Sequence, residues 1–275
     1  MSCKNCNSKS NGMPRGCNNN GACISNSCNT FTVFDWLNNI TAPNNKPVFP
    51  FCEVRFKNGR KGYFKTNSIL LSIGDIVAVQ AEKGHDVGVI TLLGELVKIQ
   101  MKKKNINHDS RDNLGIYRIA SQKDIDVWQI SRDKEEAIKV RARKLALKLE
   151  LKMKISDVEY QGDGSKITFY YTADDRVDFR ELIKVFAREF RSRIEMKQVG
   201  LREEASRLGG IGSCGRELCC STWLHDFRAV NTSSARYQQL SINPEKLSGQ
   251  CGKLKCCLNY ELGTYLEALK YMPRK

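Results

Sequence analysis

The sequence predicts an α+β protein: a small antiparallel β-barrel-like subdomain, an αββαβα unit, and a cysteine-rich C-terminal segment ending in a helix. Three observations carry that prediction. From Phe51 to about Val97 apolar residues alternate in short runs broken by glycine turns. From Ser131 to Leu208 helical and strand periods take turns. From Ser213 to Cys257 one cysteine pattern is written twice. At 275 residues and 41% hydrophobic content the chain can bury two modest cores without disulfide staples. The expected divisions are residues 1–50, a Cys-rich arm and linker; 51–104, the β subdomain; 105–208, a basic α+β subdomain; and 209–275, the cysteine segment and final helix.

The arm is rich in Asn, Ser and Gly and has too few large apolar residues to bury a core by itself. It carries Cys3, Cys6, Cys17, Cys23 and Cys28, opening with a C-x2-C pair of the kind that bites one metal from a tight turn. These five are a possible second metal site. Thr32 to Asn39 supplies apolar anchors, and Pro43, Pro47 and Pro50 make a linker.

In the β subdomain Cys52, Val54 and Phe56 share one face, Asn58-Gly59 is a hairpin turn, and Tyr63-Phe64 lead the return strand. Cys52 lies inside a strand and reads as a packed core thiol. Ile76 to Val79 and Val89 to Leu93 follow as further strands. Lys98, Lys102, Lys103 and Lys104, with the polar stretch Asn105 to Asn113, read as a solvated connector.

Ser131 is the expected N-cap of the first long helix. Ile138, Ala142, Leu145 and Leu149 form its apolar stripe, and Arg141, Lys144, Lys148 and Lys152 a basic one beside it. Strands at Lys154 to Tyr160 and Lys166 to Thr172 flank the Gly162-Asp163-Gly164 turn, with Phe169 and Tyr171 facing the core. Asp178 and Glu181 resemble a capping box for a helix burying Phe179, Leu182, Ile183, Phe186 and Phe190 and exposing Arg180, Lys184, Arg188 and Arg191. A strand at Ile194 to Val199 and a helix at Arg202 to Leu208 complete the unit. The two basic faces are ordinary wet helix faces, or a surface for nucleic acid or an acidic partner. A formal charge of +15 suits either partner and names neither.

The cysteine segment opens with Cys214-Gly215-Arg216-Glu217-Leu218-Cys219-Cys220 and closes with Cys251-Gly252-Lys253-Leu254-Lys255-Cys256-Cys257. Thiolate sulfur is the ligand type that selects zinc and iron-sulfur clusters over hard cations. Adjacent cysteines are awkward as ligands to one ion, because on a helix they diverge by roughly 100°. A four-thiolate site would take Cys214, Cys219, Cys251 and Cys256; alternatively each triplet holds three corners of a 4Fe-4S cluster. Zinc is the other candidate cofactor. Glycines Gly209, Gly210 and Gly212 lend backbone freedom, and Gly215 and Gly252 are expected to allow close approach inside each copy. His225 is a further potential ligand, more in keeping with a structural role beside Trp223 and Phe227. The chain has no H-E-x-x-H, P-loop or nucleophile-elbow motif, and His85, His108 and His225 form no acid/base pattern, so no catalytic residue is expected. With no apolar run of membrane-spanning length and twelve cysteines, a cytoplasmic location without membrane insertion is expected.

The run from Gly209 to Cys220, with Cys251 to Glu261, resembles the bacterial RicT/YaaT family, whose domain is the polymerase-suppressor C-terminal domain. The resemblance covers roughly Phe51 to Tyr265. It implies a non-catalytic subunit that joins small helical RicA-like and RicF-like proteins in a complex carrying 4Fe-4S clusters. That complex works with a membrane-attached endoribonuclease in mRNA processing. It also implies cluster-ligand roles for Cys214, Cys219, Cys220, Cys251, Cys256 and Cys257; the five N-terminal cysteines are an addition to the family pattern. Two other readings stand beside it: a zinc-stabilised nucleic-acid-binding protein that takes RNA directly, and a thiol redox protein.

Overall fold

The computed structural model describes residues 49–67, 69–106, 114–224 and 226–272. The arm cysteines Cys3, Cys6, Cys17, Cys23 and Cys28, together with His108 and His225, lie outside the described residues. The chain divides into two compact units, residues 1–197 and 198–275.

The first unit begins with a five-stranded antiparallel sheet. Its strands are β1 (Phe51–Arg55), β2 (Lys61–Lys65), β3 (Ile76–Gln80), β4 (His85–Leu93) and β5 (Ile116–Ile119), in the order β2-β1-β4-β3-β5. The β1–β2 hairpin turns where expected, with Asn58 and Gly59 at φ 54° and 72°. Cys52, Val54, Phe56, Phe64, Val77, Val79, Ile90 and Ile116 pack together on one face. Cys52 has no exposed surface, and burial pushes its thiol up to about 12, so it is the inert core thiol its strand position predicts. The barrel likeness stops short of closure. A single parallel bridge, Lys65 to Gly115, joins the two edges where a closed barrel needs a full ladder.

The connector expected after Val97 is instead helix α1 (Glu95–Lys103). Val97 and Met101, one turn apart, are buried against Phe51 and Leu92, while the exposed lysines point away from that contact. Helix α2 (Gln122–Lys148) likewise starts a good two turns before Ser131, which is buried in mid-helix. Its cap is Ser121: the hydroxyl accepts from the Asp124 amide, and the Asp124 carboxylate accepts from the Ser121 amide. The extra turns bury Ile125 and Trp128 against Ile76, Val87 and Val89 of the sheet.

A second sheet, in the order β6-β7-β8, comprises β6 (Lys154–Tyr160), β7 (Lys166–Thr172) and β8 (Arg193–Gln198). Helix α3 (Arg180–Phe190) and the C-terminal part of α2 cover it, enclosing Ala142, Ala146, Ile155, Val158, Ile167, Phe169, Leu182 and Phe186. Tyr171 is buried as expected. The capping box expected for α3 does not form; the N-cap is Phe179, and Asp178 accepts only the Arg180 amide at 3.1 Å.

Ion pairs tie the hairpin of the first sheet to the second layer. Lys57 Nζ lies 2.7 Å from Glu135 and 3.0 Å from Asp157. Arg60, stacked on the Phe56 ring, bridges Asp86 and Glu159 at 2.8 Å each. Burial alone would raise the Glu159 carboxyl, but Arg60 and the Tyr170 hydroxyl hold it below the ordinary carboxylate range.

The second unit is helical. It contains α4 (Leu201–Leu208), α5 (Cys219–Thr222), α6 (Thr232–Tyr237), α7 (Pro244–Leu247) and α8 (Cys256–Leu269). Ala235, Leu247 and Leu258 form its small core. Among the described residues no helix is long and apolar enough to cross a membrane.

Candidate metal centre

The two cysteine copies fold alike, with the same backbone hydrogen bonds in register. In the first, the Gly212 amide donates to the Arg216 carbonyl at 2.8 Å, Gly215 to Gly212 at 3.0 Å, and Leu218 to Gly210 at 3.0 Å. In the second, Gly249 donates to Lys253 at 2.7 Å, Gly252 to Gly249 at 3.0 Å, and Lys255 to Leu247 at 2.9 Å. Each copy is thus a tight knuckle, closed by one antiparallel bridge, Ile211 to Glu217 or Ser248 to Leu254. Gly215 and Gly252 sit at φ 77° and 72°, a region that L-residues rarely adopt. Close approach is not their purpose: a Cβ on either would have nothing within 4 Å. Glycine is needed there for its backbone angle.

Each knuckle delivers the chain into a helix. Leu218 and Lys255, at φ −57° with ψ 129° and 134°, stand at matching N-cap positions of α5 and α8. Cys219 and Cys256 are therefore first-turn residues, and the vicinal partners Cys220 and Cys257 follow one step round the helix. On a helix the members of each vicinal pair diverge by roughly 100°, so they do not aim at one point. All six cysteines, Cys214, Cys219, Cys220, Cys251, Cys256 and Cys257, line one cavity of about 90 Å³.

Burial grades the thiols. Cys214 is exposed, Cys220 is buried, and the other four are intermediate. Burial, reinforced by the neighbouring sulfurs of Cys256 and Cys251, pushes Cys220 up to about 11. Cys256 is raised mainly by burial, with the Arg202 guanidinium working against the rise. Cys257 is raised by burial and by Glu261 and Cys219. Sulfurs from the two knuckles thus feel each other's charge across the cavity.

In donor type these residues fit a thiolate-ligated metal. As arranged, no three Cys, His, Asp or Glu side chains among the described residues meet closely enough to hold a single ion. The six thiols border a shared space and form no ready-made tetrahedral site.

The walls are fixed by groups that the cysteine spacing does not announce. The Ser206 hydroxyl donates to the Cys220 carbonyl at 2.5 Å, and Gln238 Nε2 donates to the Leu258 carbonyl at 2.6 Å. Trp223, at the end of α5, packs on Tyr260 of α8 with ring centroids 4.5 Å apart. Arg202, on α4, reaches two carbonyls, Arg228 at 3.1 Å and Leu254 at 2.8 Å, and so pins the second knuckle to the segment before α6.

The eight basic residues expected on the two helix faces, Arg141, Lys144, Lys148, Lys152, Arg180, Lys184, Arg188 and Arg191, are exposed on α2 and α3 or just beyond their C-terminal ends. Arg141 joins the two helices through Glu189 at 2.5 Å, and Lys184 pairs with Glu181 at 2.9 Å. Salt-bridged surface charges of this kind contribute little to stability, so the faces are available to a partner.

An α+β layer built on two sheets, followed by a helical unit carrying twin cysteine knuckles, defines a PSP1-domain protein. The PSP1 C-terminal conserved region matches residues 115–199, and the third domain of PSP1-like proteins matches residues 229–272. The chain belongs to the RicT/YaaT family: it is 40% identical over 223 residues to the stage 0 sporulation protein YaaT of Bacillus subtilis (strain 168), covering 80% of this chain and 78% of that protein. It is also 29% identical over 187 residues to an uncharacterised protein of Schizosaccharomyces pombe, covering 58% of this chain and 24% of the yeast one. A short stretch of 47 residues is 45% identical to Saccharomyces cerevisiae protein PSP1, covering 17% and 6% of the two chains. No solved structure matches the chain.

Proposed function

We propose that the protein is a non-catalytic regulatory subunit whose twin knuckles hold a 4Fe-4S cluster, acting as an adaptor in a cytoplasmic complex that modulates mRNA processing by an endoribonuclease. One observation carries the metal part of this reading: six thiols from two superposable knuckles line a single cavity. Packing alone does not require two copies of a knuckle to present their sulfurs to the same space. A cluster there would supply a redox- and oxygen-sensitive anionic core. The protein's own contribution is to hold the sulfurs in two matched sets, each a knuckle followed by the first turn of a helix.

The adaptor part rests on kinship and on surfaces. Kinship to a sporulation protein supports a regulatory role. RicA-like and RicF-like proteins and an endoribonuclease are the proposed partners, and the exposed basic faces of α2 and α3 are the proposed place for RNA or an acidic partner.

The test is anaerobic purification with iron, acid-labile sulfide and zinc quantified together with the visible absorption of the thiolate-bound cluster. Iron and sulfide in equal amounts, lost when Cys219 and Cys256 are both changed to Ser, is the expected result. Stoichiometric zinc with no iron after anaerobic reconstitution overturns the cluster and leaves a structural zinc centre. A salt titration of RNA binding to the isolated chain separates the adaptor from a protein that binds RNA by itself, since phosphate contacts weaken steeply with salt.

A further inference from the structure

Arg202 is a buried cation whose hydrogen-bond partners are neutral. A guanidinium keeps its charge at any physiological pH, and burying a charge is costly unless it is paired and hydrogen-bonded. Arg202 is only 7% exposed. Its two terminal nitrogens are engaged by the carbonyls of Arg228 and Leu254, which are neutral. Its Nε is buried with no hydrogen-bond acceptor. None of the ion pairs among the described residues gives Arg202 a carboxylate.

The space beside it has the complementary character. A half-open cavity of about 600 Å³ is lined by Arg202, Arg228 and Lys253, with the hydroxyl-bearing residues Thr232 and Ser248 and an apolar wall that includes Phe227. No carboxylate lines it among the described residues. Asp226 lies against Arg228 at 2.8 Å and borders a different cavity, of about 290 Å³. Three cations around a concave, partly apolar wall concentrate positive potential in a small volume. A bare inorganic anion would leave most of that volume unused, whereas small organic ligands occupy cavities of roughly 300–1,000 Å³.

We propose that this cavity is a binding site for a phosphorylated organic anion, with the Arg202 guanidinium at its floor, Arg228 and Lys253 at its rim, and Phe227 beside the organic moiety. The phosphate supplies counter-charge to the three cations, and arginine's planar fork matches phosphate oxygens well. A nucleoside monophosphate and the 5′-phosphorylated end of an RNA share this chemistry.

The test is calorimetric titration of the metal-free full-length chain with uridine 5′-monophosphate, uridine, inorganic phosphate and a 5′-phosphorylated diribonucleotide. Saturable binding of the monophosphate, none of uridine, and weaker binding of phosphate alone are expected. The Arg228→Ala, Lys253→Ala double variant, altered only at exposed side chains, should bind at least tenfold more weakly, and Arg202→Gln more weakly still. A diribonucleotide that binds tighter than the monophosphate identifies the source as an RNA end; equal or weaker binding identifies a free nucleotide. No saturable binding of the monophosphate, equal affinity for uridine, or an unchanged affinity in the folded double variant each overturns the proposal. Because metal is absent throughout, failure here leaves the cluster reading untouched.

Discussion

Lys57 Nζ lies 2.7 Å from Glu135 Oε2, so the tip of the first hairpin is fixed to the middle of the longest helix. Both side chains are about nine-tenths buried, and the other Glu135 oxygen accepts the Tyr160 amide at 2.9 Å. Burial pushes the Glu135 carboxyl up, and Lys57 opposes that rise. Removing the cation deprives Glu135 and Asp157 of the ammonium they share. Lys57→Met should therefore lower the unfolding free energy by about 3–5 kcal/mol. Urea unfolding followed by circular dichroism checks it; a loss below about 1 kcal/mol, the range of surface pairs, shows that the site is effectively solvated.

The Ser121–Asp124 box gives a pH signature. The Arg118 guanidinium, and then the Ser121 hydroxyl and amide, hold the Asp124 carboxyl well below its ordinary range. A carboxyl lowered in the folded state stabilises fully above its unfolded pKa, and that stabilisation is lost as pH falls through the folded value. Asp124→Ala should cost about 1 kcal/mol at neutral pH through the lost cap. The gap in melting temperature between the two proteins should close on acidification below the usual carboxylate range. A gap that stays constant down to the lowest pH at which both fold rules out the ionised cap.

Thiol chemistry in the metal-free protein should follow burial. Cys214 is exposed, Cys220 is buried and raised to about 11, and Cys52 is sealed in the sheet and raised to about 12. Mass-spectrometric alkylation kinetics near neutral pH should therefore label Cys214 first, Cys220 much later, and Cys52 only on unfolding. Rapid labelling of Cys220 in the native protein contradicts this arrangement of α5.

Gly215 and Gly252 occupy equivalent left-handed positions with open space around them, so alanine at either is penalised by backbone conformation alone. Each substitution should cost about 1 kcal/mol. Both should weaken metal retention, and by similar factors. A competition titration with a chelator measures this; retention weakened strongly at one position and not at all at the other shows that the knuckles are unequal.

How much of this was readable beforehand depended on where the deciding contact lay. The hairpin at Asn58-Gly59, the strand pair around Gly162-Gly164 and the duplicated knuckle are local, and their residues declare them. The start of α2 was also declared, by Ser121 and Asp124, but Ser131 is an equally good capping residue, and only the burial of Trp128 against the sheet decides between them. Helix α1 hides behind its lysines because just two of its residues, Val97 and Met101, are fully buried. The pairing of β5 with β3 and the burial of Arg202 are set by distant partners, Val77 and Ala78 in one case, Arg228 and Leu254 in the other. Nothing near those residues in the chain encodes either.

The repeated knuckle has a further consequence. Each half closes its own loop with its own backbone bonds, yet neither half encloses the cavity by itself. The space between the sulfurs is therefore a joint product of the two knuckles. It exists only while both are formed, so an occupant of that space depends on the two knuckles together and not on either one.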